Sequence, residues 1–212
     1  MISDRDLVAA AAATYTNPTA DFSGADGAVR VFRSVIDGVP TYAIEGTHDP
    51  LGWALDFMAL PIELHASVEH PDVGFVHAGF NAALDSVWAT LVAAMAKDPI
   101  YVIVGHSLGA GLAILATGRQ VALGRPPVQW AAFAPPRVGF KQLLALVAKV
   151  PGHAYRNGND PVTDVPFRAL PLWVYEQVPL VRGGNVYHPP WDAHHIENYV
   201  ALVSSLADIQ YS

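Results

Sequence analysis

Residues 101–111 read Tyr101-Val102-Ile103-Val104-Gly105-His106-Ser107-Leu108-Gly109-Ala110-Gly111. The unbroken apolar run at 100–104 has the character of a strand buried on both faces. Residues 108–123 are rich in Ala and Leu, with no breaker except Gly, and predict a buried helix. Between them stands Gly-x-Ser-x-Gly. A serine held in a tight strand-to-helix turn adopts strained dihedrals, and glycines two residues to either side let strand and helix pass closely. Such a turn lifts the serine Oγ above the sheet edge and points the Leu108 N–H to where an oxyanion would form. A chain with this content of Gly and Ser should show the five-residue pattern about 0.06 times by chance. The pattern alone is therefore moderate evidence. A serine that merely caps a helix is the competing reading, and the buried strand before it and small-residue helix after it favour the strained turn.

Outward from this stretch the chain alternates strand-like and helix-like segments. Residues 7–16 read as a short helix. Residues 29–36 and 41–45 are β-branched alternating runs joined around Asp37-Gly38, a strong hairpin signal. Residues 46–72 read as loop or short amphipathic helix. Leu84, Val87, Trp88, Leu91, Val92 and Met95 mark one face of a helix over 80–97, ended by Asp98-Pro99. Beyond the quoted stretch follow a strand at 128–134, a helix at 140–150, a strand at 153–156, a Pro-rich segment without period and a closing helix at 196–206. Strands alternating with helices predict an α/β fold, a mostly parallel sheet covered on both faces. With 212 residues and no linker or internal repeat, one domain over 1–212 is expected.

Composition narrows the function. Of the residues 52% are hydrophobic and 15% charged, which excludes a disordered chain. Twelve Lys plus Arg against nineteen Asp plus Glu give a net charge of -7, with no basic cluster, so no nucleic-acid partner is expected. The absence of Cys removes disulfides, thiolate zinc sites and a Cys nucleophile together. The first six residues are acidic rather than basic ahead of a short apolar stretch, and apolar runs fall short of the ~20 residues of a membrane span. These features suggest a cytoplasmic protein without stable membrane insertion. A mean hydropathy of +0.27 hints at an apolar cleft or patch.

A serine nucleophile needs a base, itself oriented by a carboxylate. On sheets of this kind the order along the chain is Ser, then Asp or Glu, then His. The histidines after Ser107 are His153, His188, His194 and His195. His194 and His195 precede a helix and are well placed to reach over the sheet, whereas His153 reads as a strand residue and His188 as a loop residue. Asp160 and Asp164 follow the strand at 153–156, at the C-terminal end where ligand and catalytic groups collect.

These motifs resemble the class 3 (fungal-type) lipases of the α/β-hydrolase group, from about residue 29 to 199. Glu45-Gly46-Thr47 is similar to the family's Gly-Ser/Thr turn, Val76-His77-Ala78-Gly79-Phe80 to its His-x-Gly-Phe segment, and residues 104–111 to its Gly-His-Ser-Leu-Gly elbow. Asn159-Asp160-Pro161-Val162, followed by Val165-Pro166, resembles its Asp loop; His194-His195-Ile196-Glu197-Asn198-Tyr199 resembles its closing segment. The resemblance selects Asp160 over Asp164 and His194 over His195, and gives Thr47 as the oxyanion donor beside Leu108. It implies hydrolysis of carboxylic esters by a Ser107–His194–Asp160 triad without cofactor or metal. A thioesterase or amidase on the same scaffold, or a non-catalytic lipid-binding module, are the alternatives. One departure stands out: the family often has Arg before the turn, where this chain has Glu45.

His77 reads as a hydrogen-bonded structural residue, His106 as packing in the elbow, and Asp192 as a surface acid near enough to tune His194. His48, His65 and His70 lack metal-ligand spacing. The family places its lid at residues 48–65, where Leu51, Trp53, Leu55, Phe57, Met58, Leu60 and Ile62 are apolar. A core helix is the plainer reading of that segment. Phe167, Leu170, Leu172, Trp173, Val174, Tyr175 and Val178 offer further apolar wall. An apolar cleft favours an ester with an apolar acyl chain, and with it a lipid interface.

Overall fold

The computed structural model describes residues 1–24, 27–47, 60–64, 72–166, 175–184 and 189–210, with side chains up to 207. Its centre is a seven-stranded sheet in the order β1-β2-β3-β6-β7-β8-β9. The strands are β1 Phe22–Ser23, β2 Arg30–Ile36, β3 Val39–Ile44, β6 Val102–His106, β7 Gln129–Phe133, β8 Gly152–Asn157 and β9 Leu180–Gly183. From β3 to β9 every pairing is parallel; β1 and β2 run antiparallel at one edge. The β2–β3 hairpin turns on Asp37 and Gly38, both at positive φ (50° and 79°), the two-residue turn whose twist matches the strands.

The central strands face apolar layers on both sides, which is why their sequences are continuously apolar. Ile103, Trp130 and Ala132 face one cluster, and Val102, Val104, Ala131 and Phe133 the other. On the first face lie helices α2 Ala78–Met95, α3 Leu108–Ala122 and α4 Lys141–Val147. On the second lie α1 Asp4–Ala13 and α6 Ile196–Gln210, the latter preceded by the single turn α5 Pro190–Ala193. Helix α3 is buried all round from Leu108 to Gln120. Its small residues admit the neighbours: a Cβ on Gly111 would overlap Phe80, and one on Gly118 would overlap Leu143. Among the described residues only α2 reaches the length and hydropathy of a membrane span (18 residues, 1.2), and it packs Phe80, Leu84, Trp88 and Leu91 into the core.

Several expectations shift. The first helix starts at Asp4, because Ser3 caps it by accepting the Asp6 N–H, and ends at Ala13 instead of 16. The segment 46–72 contains a strand where it is described: β4 Pro61–Leu64, paired antiparallel with β5 Gly74–His77. Residues 61–64 of the expected lid are thus extended, whereas 48–59 and 65 lie outside the described residues, as do His48, His65, His70, His188 and the apolar positions 167–174. Strand β9 emerges from the Pro-rich segment immediately after Pro179, at the sheet edge, where half-exposed residues give no alternation to read.

Candidate active site

Strand β6 passes into α3 through Ser107, at φ 58° and ψ -124°. Non-glycine residues rarely adopt this region, and its surroundings enforce it here. A Cβ on Gly105 would run into the Gly109 carbonyl, and one on Gly109 into the carbonyl of Ile44 on β3. Both motif glycines are therefore demanded by backbone contact. The Ser107 N–H is held by the Phe133 carbonyl of β7 at 2.9 Å. The Leu108 N–H opens the helix and finds no acceptor among the described residues.

Ser107 Oγ lies 2.9 Å from His194 Nε2, and His194 Nδ1 lies 2.9 Å from Asp160 Oδ2. The carboxylate is an acceptor only, so Nδ1 carries the proton and Nε2 is free to accept from Ser107. All three residues are buried (0%, 4% and 0% exposed). Asp160 stands in the turn after β8. Its Oδ1 accepts the Val162 N–H at 2.9 Å, and its Oδ2 also accepts the Tyr199 O–H at 2.6 Å. Burial, reinforced by Asp160, keeps the Tyr199 phenol protonated far above its usual range. His194 sits between α5 and α6.

The other candidates are placed elsewhere. His195 is exposed. His153 bonds Asp4 at 2.8 Å on the α1 side of the sheet. Asp164 is engaged by Arg156 at 2.8–2.9 Å and by Arg137 at 3.4 Å, so it is an ion-pair partner rather than an orienter of His194. Asp192 is exposed, and it is Asp160 that meets His194 Nδ1. His77 caps α2, its Nδ1 accepting the Gly79 N–H at 3.1 Å, and burial pushes its pKa down to about 4.

Thr47 follows β3 on the same sheet edge. The preceding Gly46 packs on Ser107, since a Cβ there would lie 3.1 Å from Ser107 Cβ. Glu45, the departure from the family pattern, is buried and takes both oxygens to Arg30 at 3.0–3.1 Å. The Arg30 guanidinium also donates to the Asn17 carbonyl at 2.8 Å. The cation at this turn thus comes from the neighbouring strand instead of the preceding residue.

Four polar residues around the site are ones the sequence did not single out for this role. His106 bonds the His194 carbonyl through Nε2 (2.9 Å) and Tyr15 through Nδ1 (2.6 Å). Asn157 Nδ2 donates to the Ala193 carbonyl at 2.9 Å, and Asn157 N–H donates to Tyr199 Oη at 3.1 Å. The motif positions of His106 and Tyr199 were signals in part. Tyr15 and Asn157 carry no local signal.

A parallel sheet that brings Ser, His and Asp into one hydrogen-bonded line at the C-terminal ends of its strands defines an α/β-hydrolase architecture. The chain belongs to the class 3 lipase family, whose sequence model matches residues 41–170. It is 37% identical over 90 residues to the secreted mono- and diacylglycerol lipase A of Penicillium cyclopium, and equally to that of Penicillium camembertii. These matches take in 41% of this chain and 29% of theirs, so the chain spans less than a third of the length of the curated relatives it matches. Among solved structures, a mutant form of the Penicillium cyclopium MDLA protein superposes with a TM-score of 0.66 at 22% identity, covering 86% of this chain and 80% of that one. A triacylglycerol lipase from Penicillium expansum does so at 0.57 and 18% identity, covering 87% and 82%. At these identities the likeness is one of fold.

Proposed function

We propose that the chain hydrolyses carboxylic esters, acylglycerols among them, through an acyl-enzyme on Ser107. The observation that carries this reading is the unbroken line Ser107 Oγ–His194–Asp160, with 2.9 Å at each joint. His194 Nε2 takes the Ser107 proton as Oγ attacks the ester carbonyl. Asp160 holds the Nδ1–H and stabilises the imidazolium. The N–H groups of Leu108 and Thr47 receive the oxyanion; losing one such donor costs about 10²–10³ in turnover. The imidazolium then protonates the leaving alcohol, and water, activated by the same nitrogen, releases the acid and restores Ser107.

Membership of the family supports lipid esters as the substrate class. The Penicillium relatives, named for mono- and diacylglycerols, favour partial glycerides as the first substrates to try. Both are also named as secreted, which differs from the cytoplasmic setting suggested by the sequence. A chain without cysteine has no disulfide to form in either place, so export is compatible with this composition.

The test is labelling with a fluorophosphonate beside a Ser107→Ala control, followed by turnover of p-nitrophenyl esters from acetate to palmitate and of mono- and diolein. Labelling lost in the control, together with ester turnover, is the expected result. A folded wild-type chain that neither labels nor turns over, with detergent present, overturns it in favour of a lipid-binding module.

A further inference from the structure

The search for unused polar chemistry leads back beneath the nucleophile, to the N-terminal segment that the family match does not include. Tyr15 follows α1 and reaches 91 residues along the chain to His106, at 2.6 Å from Nδ1. Its phenolic oxygen lies against Gly46, so closely that a Cβ there would overlap it. His106 stacks on the His194 ring (centroids 4.9 Å apart, planes at 30°), and its Nε2 meets the His194 carbonyl at 2.9 Å.

The protons in this network can be assigned by elimination. A carbonyl oxygen only accepts, so His106 Nε2 bears a proton. Burial, reinforced by His194, drives the His106 pKa well below its usual value and leaves the ring neutral, so Nδ1 is a lone pair. Tyr15 must then donate its O–H to Nδ1. Burial, with Glu45 nearby, holds that phenol in its protonated form. The result is a one-way chain, Tyr15 O–H to His106 Nδ1 and His106 Nε2–H to the His194 carbonyl, with the Tyr15 oxygen packed against Gly46. Bonds aligned head to tail polarise one another and strengthen together.

We propose that Tyr15 and His106 are positioning residues that tie the turn carrying Thr47 to the backbone of His194, setting the oxyanion donor and the general base in mutual register. This inference rests on the hydrolase reading above. Neither side chain hydrogen-bonds Ser107 Oγ or His194 Nε2. They act on the backbone at Gly46 and His194. A second tether on the same segment, Asn157 Nδ2 to the Ala193 carbonyl, leaves His106 to fix rotation of the 193–194 peptides about that point.

The test uses the full chain. Tyr15→Phe removes one oxygen and keeps the ring that packs edge-on against His106. It should lower kcat about tenfold with KM within twofold, as expected when a positioning contact is lost and the reacting groups are less well aligned in the transition state. His106→Gln places an amide N–H near Nε2 and should retain far more turnover than His106→Leu. Thermal midpoints separate misfolding from misplacement, because the Phe variant should melt within a few degrees of wild type. A kcat unchanged in Tyr15→Phe, or equal losses in His106→Gln and His106→Leu, overturns the proposal. So does a change confined to KM. The nitrogen NMR signals of His106 provide a readout independent of activity: wild type should show a protonated Nε2 and an unprotonated, hydrogen-bonded Nδ1, with the Nδ1 signal moving in Tyr15→Phe. A wild-type chain inactive towards probe and esters alike would refute the hydrolase reading, and those signals would still decide whether the hydrogen-bond chain exists.

Discussion

Single side chains separate the two acids and the buried histidines by what they touch. Asp160 serves His194, Tyr199 and Val162, whereas Asp164 serves two arginines. Asp160→Ala should therefore cut turnover by about 10³–10⁴. Asp164→Ala should leave turnover within a few-fold and lower stability by about 2 kcal/mol, the loss of charged hydrogen bonds. Steady-state kinetics and urea melts on the two variants check both. His77 supplies a pH signature. Its pKa falls from 6.5 to about 4 on folding, so between these values the unfolded chain binds a proton that the folded chain refuses. The stabilisation is fully present above pH 6.5 and is lost as pH drops towards 4, by about 3 kcal/mol in all. His77→Asn keeps an N-cap acceptor for Gly79 and removes the titration, so its urea midpoint should fall less steeply over that window than that of wild type.

Among the elements, the strand–turn–helix around Ser107 was legible because three independent signals agreed there: a continuous apolar strand, two glycines and a small-residue helix. The structure adds what makes the glycines obligatory, which is contact with backbone rather than with side chains. Gly109→Ala should cost about 3 kcal/mol or more, since neither the Ile44 carbonyl nor the helix can give way, and a denaturant melt measures it. Elements lacking such agreement were missed. Strands β1, β4, β5 and β9 span two to four residues, too short for a period of two to register. Long-range polar ties were less legible still. The distance in sequence from Tyr15 to His106 leaves no spacing to read, and the role of His106 depends on a carbonyl contributed by residue 194.

At the scale of the whole molecule, two apolar clusters share one sheet, and they are unequal. The face with α2, α3 and α4 collects most of the core, whereas the other, among the described residues, is covered by α1 and α6. The N-terminal residues are pinned there, with Gln129 exchanging two 2.9 Å hydrogen bonds with the Ile2 backbone and Asp4 accepting from Tyr155 at 2.7 Å. Leu7→Ala, at a fully buried position of α1, should destabilise by about 2–5 kcal/mol. It should also lower turnover at temperatures where the rest of the sheet still holds, because Tyr15 follows the same helix. Calorimetry with activity measured at matched temperatures checks both.

The strand order has a further consequence. Strand β7 lies between β6, which ends at the serine, and β8, which leads to the aspartate. Two inter-strand spacings, about 10 Å, therefore separate the roots of Ser107 and Asp160. One imidazole with a hydrogen bond at each end closes that gap. The sheet acts as a ruler whose graduations are peptide hydrogen bonds, and these do not vary with the length of the segments that join the strands. Evolution can lengthen, shorten or rewrite those segments while the interval between Ser107 and Asp160 stays fixed.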